Sequence, residues 1–236
     1  REANLIEVGK SGFGSGWSQN DINILLISKA KTGQKVVRLK SGDAGVFSRL
    51  DEEIAALDQA GLPFEVIPGI TTAAAAAADM GVSLTRRGRN KQVRLLTGHD
   101  IDGFSDHDWK SLALDGAVAA IYMGVKTISH LQNKLLRHGA LSDTPITVAQ
   151  NVGRKNAIWV ASSISTLVND CKHHKITGPA ILMLGLHPHI QKTSLISKKL
   201  QNSKDVFLYK DLSINEVLPQ LVIKNKKSAT TDKKFL

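Results

Sequence analysis

The chain has 236 residues, of which 42% are hydrophobic and 22% are charged, a composition typical of globular proteins. No stretch reaches the roughly 18 consecutive apolar residues of a membrane-spanning helix, so we expect no membrane partner. The single cysteine, Cys171, excludes an internal disulfide framework and a cysteine-based metal cluster. We therefore predict a cytoplasmic protein of one large or two small domains.

The net charge of +10 is concentrated near the end of the chain. Residues 189–236 contain ten lysines and four acidic residues, a net charge of +6. Aromatic residues make up only 5% of the chain, too few for a base-stacking platform. We predict a poorly ordered basic tail over residues 189–236 and no nucleic-acid partner. The alternative, a nucleic-acid-binding arm, rests on the charge of this tail alone.

The first part of the chain alternates between strand and helix patterns. Strands are predicted over residues 4–8, 35–40 and 64–67, and helices over residues 21–30, 51–59 and 71–80. Gly33 and Gly61 follow the first two helices as C-terminal caps. This alternation is typical of a mostly parallel α/β sheet.

A second α/β series follows the polar and basic connection at residues 84–90. Strands are predicted over residues 93–97, 117–123, 146–150, 157–161 and 180–184, and a helix over residues 127–137. No fixed-period repeat is present. The sequence thus predicts two α/β domains, residues 1–87 and 91–188.

Two loops in the first series carry the pattern of a binding site. Ser41-Gly42-Asp43 and Pro68-Gly69-Ile70-Thr71-Thr72 each follow a predicted strand, and open α/β sheets bind ligands at the carboxyl ends of their strands. Glycine allows a ligand to approach the backbone, and a carboxylate accepts hydrogen bonds from amines or hydroxyls. We predict a small-molecule site here. The eight histidines are scattered without ligand spacing, so we predict no metal.

Two segments resemble the tetrapyrrole methylases: VVRLKSGDAGVFSR (residues 36–49) and GLPFEVIPGIT (residues 61–71). Within that family they are most similar to the uroporphyrinogen-III C-methyltransferase group, which also occurs as the methylase half of sirohaem synthase. The resemblance continues through Gly9-Lys10 and residues 84–87, 96–99, 122–124 and 178–180, and it covers residues 1–188. It implies two α/β domains with S-adenosylmethionine in the cleft between them, as a homodimer. It also implies methylation of uroporphyrinogen III at two pyrrole carbons, giving precorrin-2 for sirohaem or cobalamin.

The resemblance also assigns site residues. The implied cofactor contacts are Ser41, Gly42, Asp43 and Val46 in the first loop, Thr71 and Thr72 in the second, and Met123, Val152 and Ala180 in the second domain. Lys10 matches a lysine proposed to act as a proton donor beside the tetrapyrrole. Further basic residues suit a substrate with eight carboxylates; they are Arg38, Arg86, Arg87 and Arg89.

The chain departs from the family pattern at its beginning. The family's opening strand and its Gly-x-Gly-Pro-Gly-Asp loop are absent from this sequence. We therefore expect an N-terminally truncated member whose first sheet lacks its opening strand. The alternative hypothesis is an inactive remnant of a methylase that acts at most as a binding module.

Overall fold

The computed structural model describes residues 3–9, 16–99 and 103–189. The chain divides into two compact units, Arg1–Thr72 and Ala73–Leu236. The domain limits that the sequence predicts, 1–87 and 91–188, stay a prediction. The predicted basic tail lies outside the described residues from position 190 onward.

The described residues of the first unit form two helices. Helix α1 (Gln19–Lys31) begins with a capping box, in which the Ser18 hydroxyl accepts from the Asp21 N–H and the Asp21 carboxylate accepts from the Ser18 N–H. These bonds from Ser18 hold the pKa of Asp21 below its ordinary value. Helix α2 (Leu50–Gln59) carries three acidic residues in its first turn, as the helix dipole favours.

The three strands predicted for the first unit are wrong. None of its described residues belongs to a strand, and residues 4–8, 35–40 and 64–67 are irregular. A strand requires hydrogen bonds to a neighbouring strand, whereas a β-branched sequence supplies only the propensity. The consequence is visible in Val37, Leu39 and Ile67, whose relative exposures are 76%, 85% and 70%.

The described residues of the second unit form one five-stranded sheet, and its elements follow the predicted α/β pattern. The strands are β1 (Arg94–Thr97), β2 (Ala119–Tyr122), β3 (Pro145–Gln150), β4 (Ile158–Ser163) and β5 (Ala180–Leu184), and the helices are α3 (Thr72–Asp79), α4 (Trp109–Leu112), α5 (Ile128–Arg137) and α6 (Leu167–His173). The strand order is β1-β2-β5-β3-β4. Strands β1 and β2 are parallel, and every other pair is antiparallel, so the α/β class is confirmed.

Apolar side chains alternate between the two faces of this sheet. In β5, Leu182 and Leu184 belong to a core cluster with helices α4, α5 and α6, whereas Ile181 and Met183 belong to a second cluster on the opposite face. Helix α3 covers that second face with alanines at helical spacing, Ala73, Ala76 and Ala77.

Helices α4 and α6 were not predicted from the sequence. Both are short, at four and seven residues, and so carry too little periodicity to be recognised. In the described part of the chain, no helix has the length and apolar character needed to cross a membrane.

Candidate functional site

Asp43 joins the two loops that the sequence predicts as a binding site. Its Oδ1 accepts a hydrogen bond from the Gly45 N–H at 2.7 Å, and its Oδ2 accepts one from the Gly69 N–H at 3.0 Å. The Val46 N–H donates to the Asp43 carbonyl at 3.2 Å, which closes the turn. A carboxylate has about four acceptor positions, so Asp43 keeps acceptor capacity beyond these loop bonds.

The two loops touch through glycine backbone. A Cβ atom on Gly69 would lie 2.1 Å from the carbonyl oxygen of Gly42, closer than any side chain tolerates. A Cβ atom on Gly42 would lie 3.8 Å from the Thr72 hydroxyl. The structure therefore brings together Gly42, Asp43 and Thr72 of the predicted site, and Ser41, Val46 and Thr71 belong to the same two loops.

Basic residues next to this loop pair are engaged by a buried glutamate. Glu53 is only 3% exposed; its Oε1 lies 3.2 Å from Arg38 Nε and its Oε2 lies 2.8 Å from Lys40 Nζ. The Lys40 ammonium also donates to the Ser48 carbonyl at 2.7 Å. Arg38, which the resemblance suggested for substrate carboxylates, thus forms an ion pair within the first unit.

The end of the first loop adopts a conformation that disfavours ordinary side chains. Phe47 and Arg49 have φ values of 49° and 61°, in the left-handed region that glycine occupies at low cost. The Ser48 hydroxyl donates to the Ala44 carbonyl, and Arg49 pairs with the Glu52 carboxylate. These contacts hold the loop where the chain enters α2.

The predicted cofactor residues of the second unit share one edge of its sheet. Strands β1, β2 and β3 run in the same direction and β5 runs opposite, so the ends of β2 and β3 lie beside the start of β5. Met123 follows β2, Val152 follows β3, and Ala180 is the first residue of β5. Met123 has a φ of 55° and is 53% exposed, so its thioether side chain is accessible at this edge.

Two further residues of this edge were missed by the sequence analysis. Gln150 is buried, and its Oε1 accepts from the Thr177 and Gly178 N–H groups at 2.9 and 2.7 Å, which positions the segment before Ala180. The Tyr122 hydroxyl accepts from the Ala73 N–H at the start of α3, at 3.2 Å. A polar side chain at the last position of a strand, before a loop, was the available signal for both.

Burial shifts the pKa values of two residues at α6, Cys171 and His174. Burial raises the pKa of the Cys171 thiol to about 12, so it stays protonated at neutral pH and is a poor nucleophile. Burial also lowers the pKa of His174. The described residues include no group of three or more metal-ligating side chains.

The predicted catalytic residue, Lys10, lies outside the described residues. Its role as a proton donor stays a prediction. Gly9, which precedes it, is described and is exposed.

A mixed sheet covered by helices on both faces defines an α/β protein, a class in which ligand sites occur in the loops at strand ends. A family model described as Tetrapyrrole (Corrin/Porphyrin) Methylases matches residues 4–168. The chain belongs to the tetrapyrrole methylase family.

Curated relatives include siroheme synthases. The chain is 38% identical over 185 residues to a siroheme synthase of Xylella fastidiosa, covering 78% of this chain and 39% of the relative. It is 42% identical over 185 residues to siroheme synthase 2 of Pectobacterium atrosepticum, covering 78% of this chain and 40% of the relative. The chain therefore spans about two fifths of the length of these relatives, 39–40%.

Solved structures of tetrapyrrole-modifying methyltransferases are also similar to this chain. A uroporphyrin-III C-methyl transferase from Thermus thermophilus complexed with S-adenyl homocysteine matches with a TM-score of 0.60 and 29% identity, covering 71% of this chain and 73% of that chain. A cobalt precorrin-4 methyltransferase matches with a TM-score of 0.67 and 20% identity, covering 72% of each chain, and supports the fold alone.

Proposed function

We propose that this chain is an S-adenosylmethionine-dependent methyltransferase that methylates uroporphyrinogen III to precorrin-2, a step toward sirohaem or cobalamin. Its family membership and the names of its relatives support a tetrapyrrole methylase. The observation that carries the proposal is the loop pair that Asp43 joins, because its residues are those that the resemblance assigns to the cofactor.

The residues present fit the cofactor. The contact between Gly42 and Gly69 leaves backbone, and no side chain, where the two loops meet, and Asp43 retains acceptor positions for an amine or hydroxyl. In the second unit, the exposed thioether of Met123 offers an adaptable apolar surface. S-Adenosylmethionine, when bound, supplies an electrophilic methyl group for in-line displacement.

The chain's own residues would contribute binding and orientation. Methyl transfer to carbon depends on alignment of the reacting atoms, so groups that fix the ligands provide much of the rate enhancement. Asp43, Gly69 and Gln150 hold their loops through backbone hydrogen bonds. We propose that Lys10 donates the proton beside the tetrapyrrole. We further propose a cytoplasmic homodimer, as the resemblance implies.

The second candidate function is an inactive remnant that acts as a binding module. The exposure of Val37, Leu39 and Ile67 in the first unit favours it, because apolar side chains in water contribute nothing to the stability of a site. In this case the chain would bind the cofactor without transferring a methyl group, or would bind no cofactor at all.

Two measurements on the purified chain separate these functions. Calorimetry with S-adenosylhomocysteine tests the cofactor site, and transfer of a labelled methyl group to uroporphyrinogen III tests the reaction. Binding with turnover is expected for the methyltransferase. Binding without turnover would support the binding module. No binding up to about 1 mM ligand would contradict the proposed methyltransferase.

A further inference from the structure

The side-chain amide of Gln150 is buried and held in one orientation. Gln150 is only 7% exposed, and its Oε1 accepts from the Thr177 and Gly178 N–H groups at 2.9 and 2.7 Å. Because only the amide oxygen can accept from two N–H donors, these bonds identify which amide atom is Oε1 and which is Nε2. Turning the amide over would place its NH₂ group against two backbone donors. The position of Nε2 is therefore fixed.

The space for this amide exists because position 178 is glycine. A Cβ atom on Gly178 would lie 3.1 Å from Gln150 Cδ and 3.2 Å from Gln150 Oε1, tighter than ordinary van der Waals contact. The same turn is held from a second point, since the Asn151 N–H donates to the Pro179 carbonyl at 3.0 Å. The Gln150 side chain and the backbone of residues 177–179 thus hold each other in place.

The amide nitrogen of Gln150 has two donors that the protein does not use. Within the described part of the chain, both hydrogen bonds of this side chain go to Oε1 and none involves Nε2. The fully buried side-chain atoms without a partner among the described residues are Ser105 Oγ and His174 Nε2. Gln150 Nε2 is not one of them, so it reaches an opening at the surface. A fixed and largely desolvated donor at an opening is suited to an acceptor atom of a ligand.

Gln150 lies in the same row of the sheet as two predicted cofactor residues. It is the last residue of β3 and pairs with Ala180, the first residue of β5. Tyr122 pairs with Ile181, so Met123, one position further along the chain, lies level with Ala180. Two strand spacings, about 10 Å, therefore separate Met123 from Gln150. Met123 and Ala180 offer apolar surface in this row, and Gln150 offers a hydrogen-bond donor.

An adenine ring system has the chemistry that this row can recognise. Its flat faces pack on apolar side chains, and its unprotonated ring nitrogens accept hydrogen bonds in the plane of the ring. Because Oε1 of Gln150 is already occupied, the amide presents donors only. It favours a ring nitrogen that carries a lone pair over one that carries a proton.

We propose that Gln150 is a further cofactor-binding residue, whose Nε2 donates a hydrogen bond to a ring nitrogen of the adenine group of S-adenosylmethionine. The resemblance assigns no role to this position. The inference rests on the proposed function and adds a residue that determines specificity to it. A site with a buried donor discriminates against a ligand that lacks the matching acceptor, because the donor is then left unpaired.

Calorimetry with S-adenosylhomocysteine on the full chain tests this donor through Gln150→Glu. The substitution keeps an oxygen for the two backbone N–H groups and replaces Nε2 by a second oxygen. At about pH 8, well above the ordinary glutamate pKa of about 4.3, the new carboxylate has no proton to donate. We expect the affinity to fall about tenfold or more, and thermal unfolding verifies that the variant is folded.

The matched control is Gln132→Glu, the same change at another glutamine that bonds to backbone. Gln132 Oε1 accepts from the Val168 N–H at 2.9 Å, and its Nε2 donates to the Ser165 carbonyl at 3.2 Å. This bridge lies at the other end of β3, because Ser163 pairs with Pro145. We expect Gln132→Glu to bind S-adenosylhomocysteine as the wild-type chain does.

Analogues of S-adenosylhomocysteine in which ring nitrogen N1, N3 or N7 is replaced by C–H identify the acceptor. The wild-type chain should bind one of these analogues about tenfold more weakly than S-adenosylhomocysteine. Gln150→Glu should show no such preference for that nitrogen. A donor that contacts the ring predicts this loss of preference, whereas a residue that only holds the 177–179 turn does not.

The outcomes separate this inference from the proposed function. If the wild-type chain binds S-adenosylhomocysteine and Gln150→Glu binds it equally well, the assignment of Gln150 is overturned and the proposed function stands. The assignment is also overturned if Gln150→Glu binds more weakly but keeps the wild-type preference among the analogues. No binding to the wild-type chain contradicts the proposed function, and the assignment fails with it.

Discussion

The carboxylate of Asp43 accepts a hydrogen bond from the Gly69 N–H, 3.0 Å away, and so joins two loops that are 26 residues apart in the chain. The same carboxylate accepts from Gly45 within its own loop. One side chain therefore joins the two loops that contain six of the nine predicted cofactor contacts.

Replacing Asp43 by Asn tests this arrangement. Asparagine keeps one acceptor oxygen but presents an NH₂ group to the other backbone N–H, so one hydrogen bond is lost and a donor faces a donor. We expect S-adenosylhomocysteine affinity to fall about tenfold or more, measured by calorimetry. Asp58→Asn, at an exposed position of α2, is the matched control. Equal affinities in the two variants would show that the Asp43 carboxylate does not support the site.

Gly69→Ala tests the close approach of the two loops. The new methyl group would collide with the Gly42 carbonyl oxygen at 2.1 Å, so one loop must move. We expect the free energy of unfolding to fall by about 1–3 kcal/mol and S-adenosylhomocysteine binding to weaken with it. Gly9→Ala is the control, because nothing lies within 4 Å of its added Cβ atom. A Gly69→Ala protein with wild-type affinity and stability would refute the contact.

Glu53→Gln tests the buried ion pairs of the first unit. The substitution removes the buried carboxylate that pairs with the partly buried Arg38 and Lys40, and we expect a loss of about 3–5 kcal/mol in the free energy of unfolding. Urea denaturation measures it. Glu52→Gln, which removes an exposed pair with Arg49, should cost no more than about 1 kcal/mol. Similar losses in both variants would argue against a structural role specific to Glu53.

Asp79→Asn should have a pH-dependent effect on stability. Asp79 is exposed, and partial desolvation raises its pKa above the ordinary value of 3.8. Its position as the last residue of α3 places a negative charge at the negative end of the helix dipole. A raised folded-state pKa means that the charged form destabilises the fold as pH rises through it. We expect Asp79→Asn to be more stable than wild type at pH 7. That difference should disappear below about pH 3.8, and thermal unfolding across this range measures it.

Lys10→Ala tests the predicted proton donor. Loss of a general acid typically lowers the rate about 100-fold or more, whereas cofactor affinity should change little if Lys10 faces the tetrapyrrole. The measurements are methyl transfer to uroporphyrinogen III and calorimetry with S-adenosylhomocysteine, with Lys35→Ala as the control. Unchanged turnover would return Lys10 to the class of surface lysines, and a loss of cofactor affinity would place it beside the cofactor instead.

Helices α1, α2, α3 and α5 could be predicted because their signals are local. Ser18 and Asp21 form a capping box within four residues, and the alanines of α3 repeat at helical spacing. The second-unit strands were predicted for the same reason, as short apolar runs bounded by turns. In the first unit, Val36 and Val37 carry equal propensity, but strand formation depends on a partner that a local pattern does not describe.

The residues that hold the loops and strand ends in place through distant partners were harder to predict. Glu53 reads as an acidic residue in the first turn of a helix, which usually faces solvent, yet its burial follows from Arg38 and Lys40, 15 and 13 residues earlier in the chain. Gln150 and Tyr122 act through backbone groups 27 and 49 residues away. Such partners are set by tertiary packing, so spacing in the sequence does not reveal them.

The position of β5 has a consequence for how the second unit is made. This strand lies at the centre of the sheet, between β2 and β3, although it is the last of the five in the chain. During synthesis, the β1–β2 pair and the β3–β4 hairpin emerge first and have no direct pairing with each other. Their inner edges and apolar faces stay open until residues 180–184 leave the ribosome, and open edges invite aggregation. The nascent chain therefore stays open to edge-to-edge aggregation until β5 pairs with both halves of the sheet.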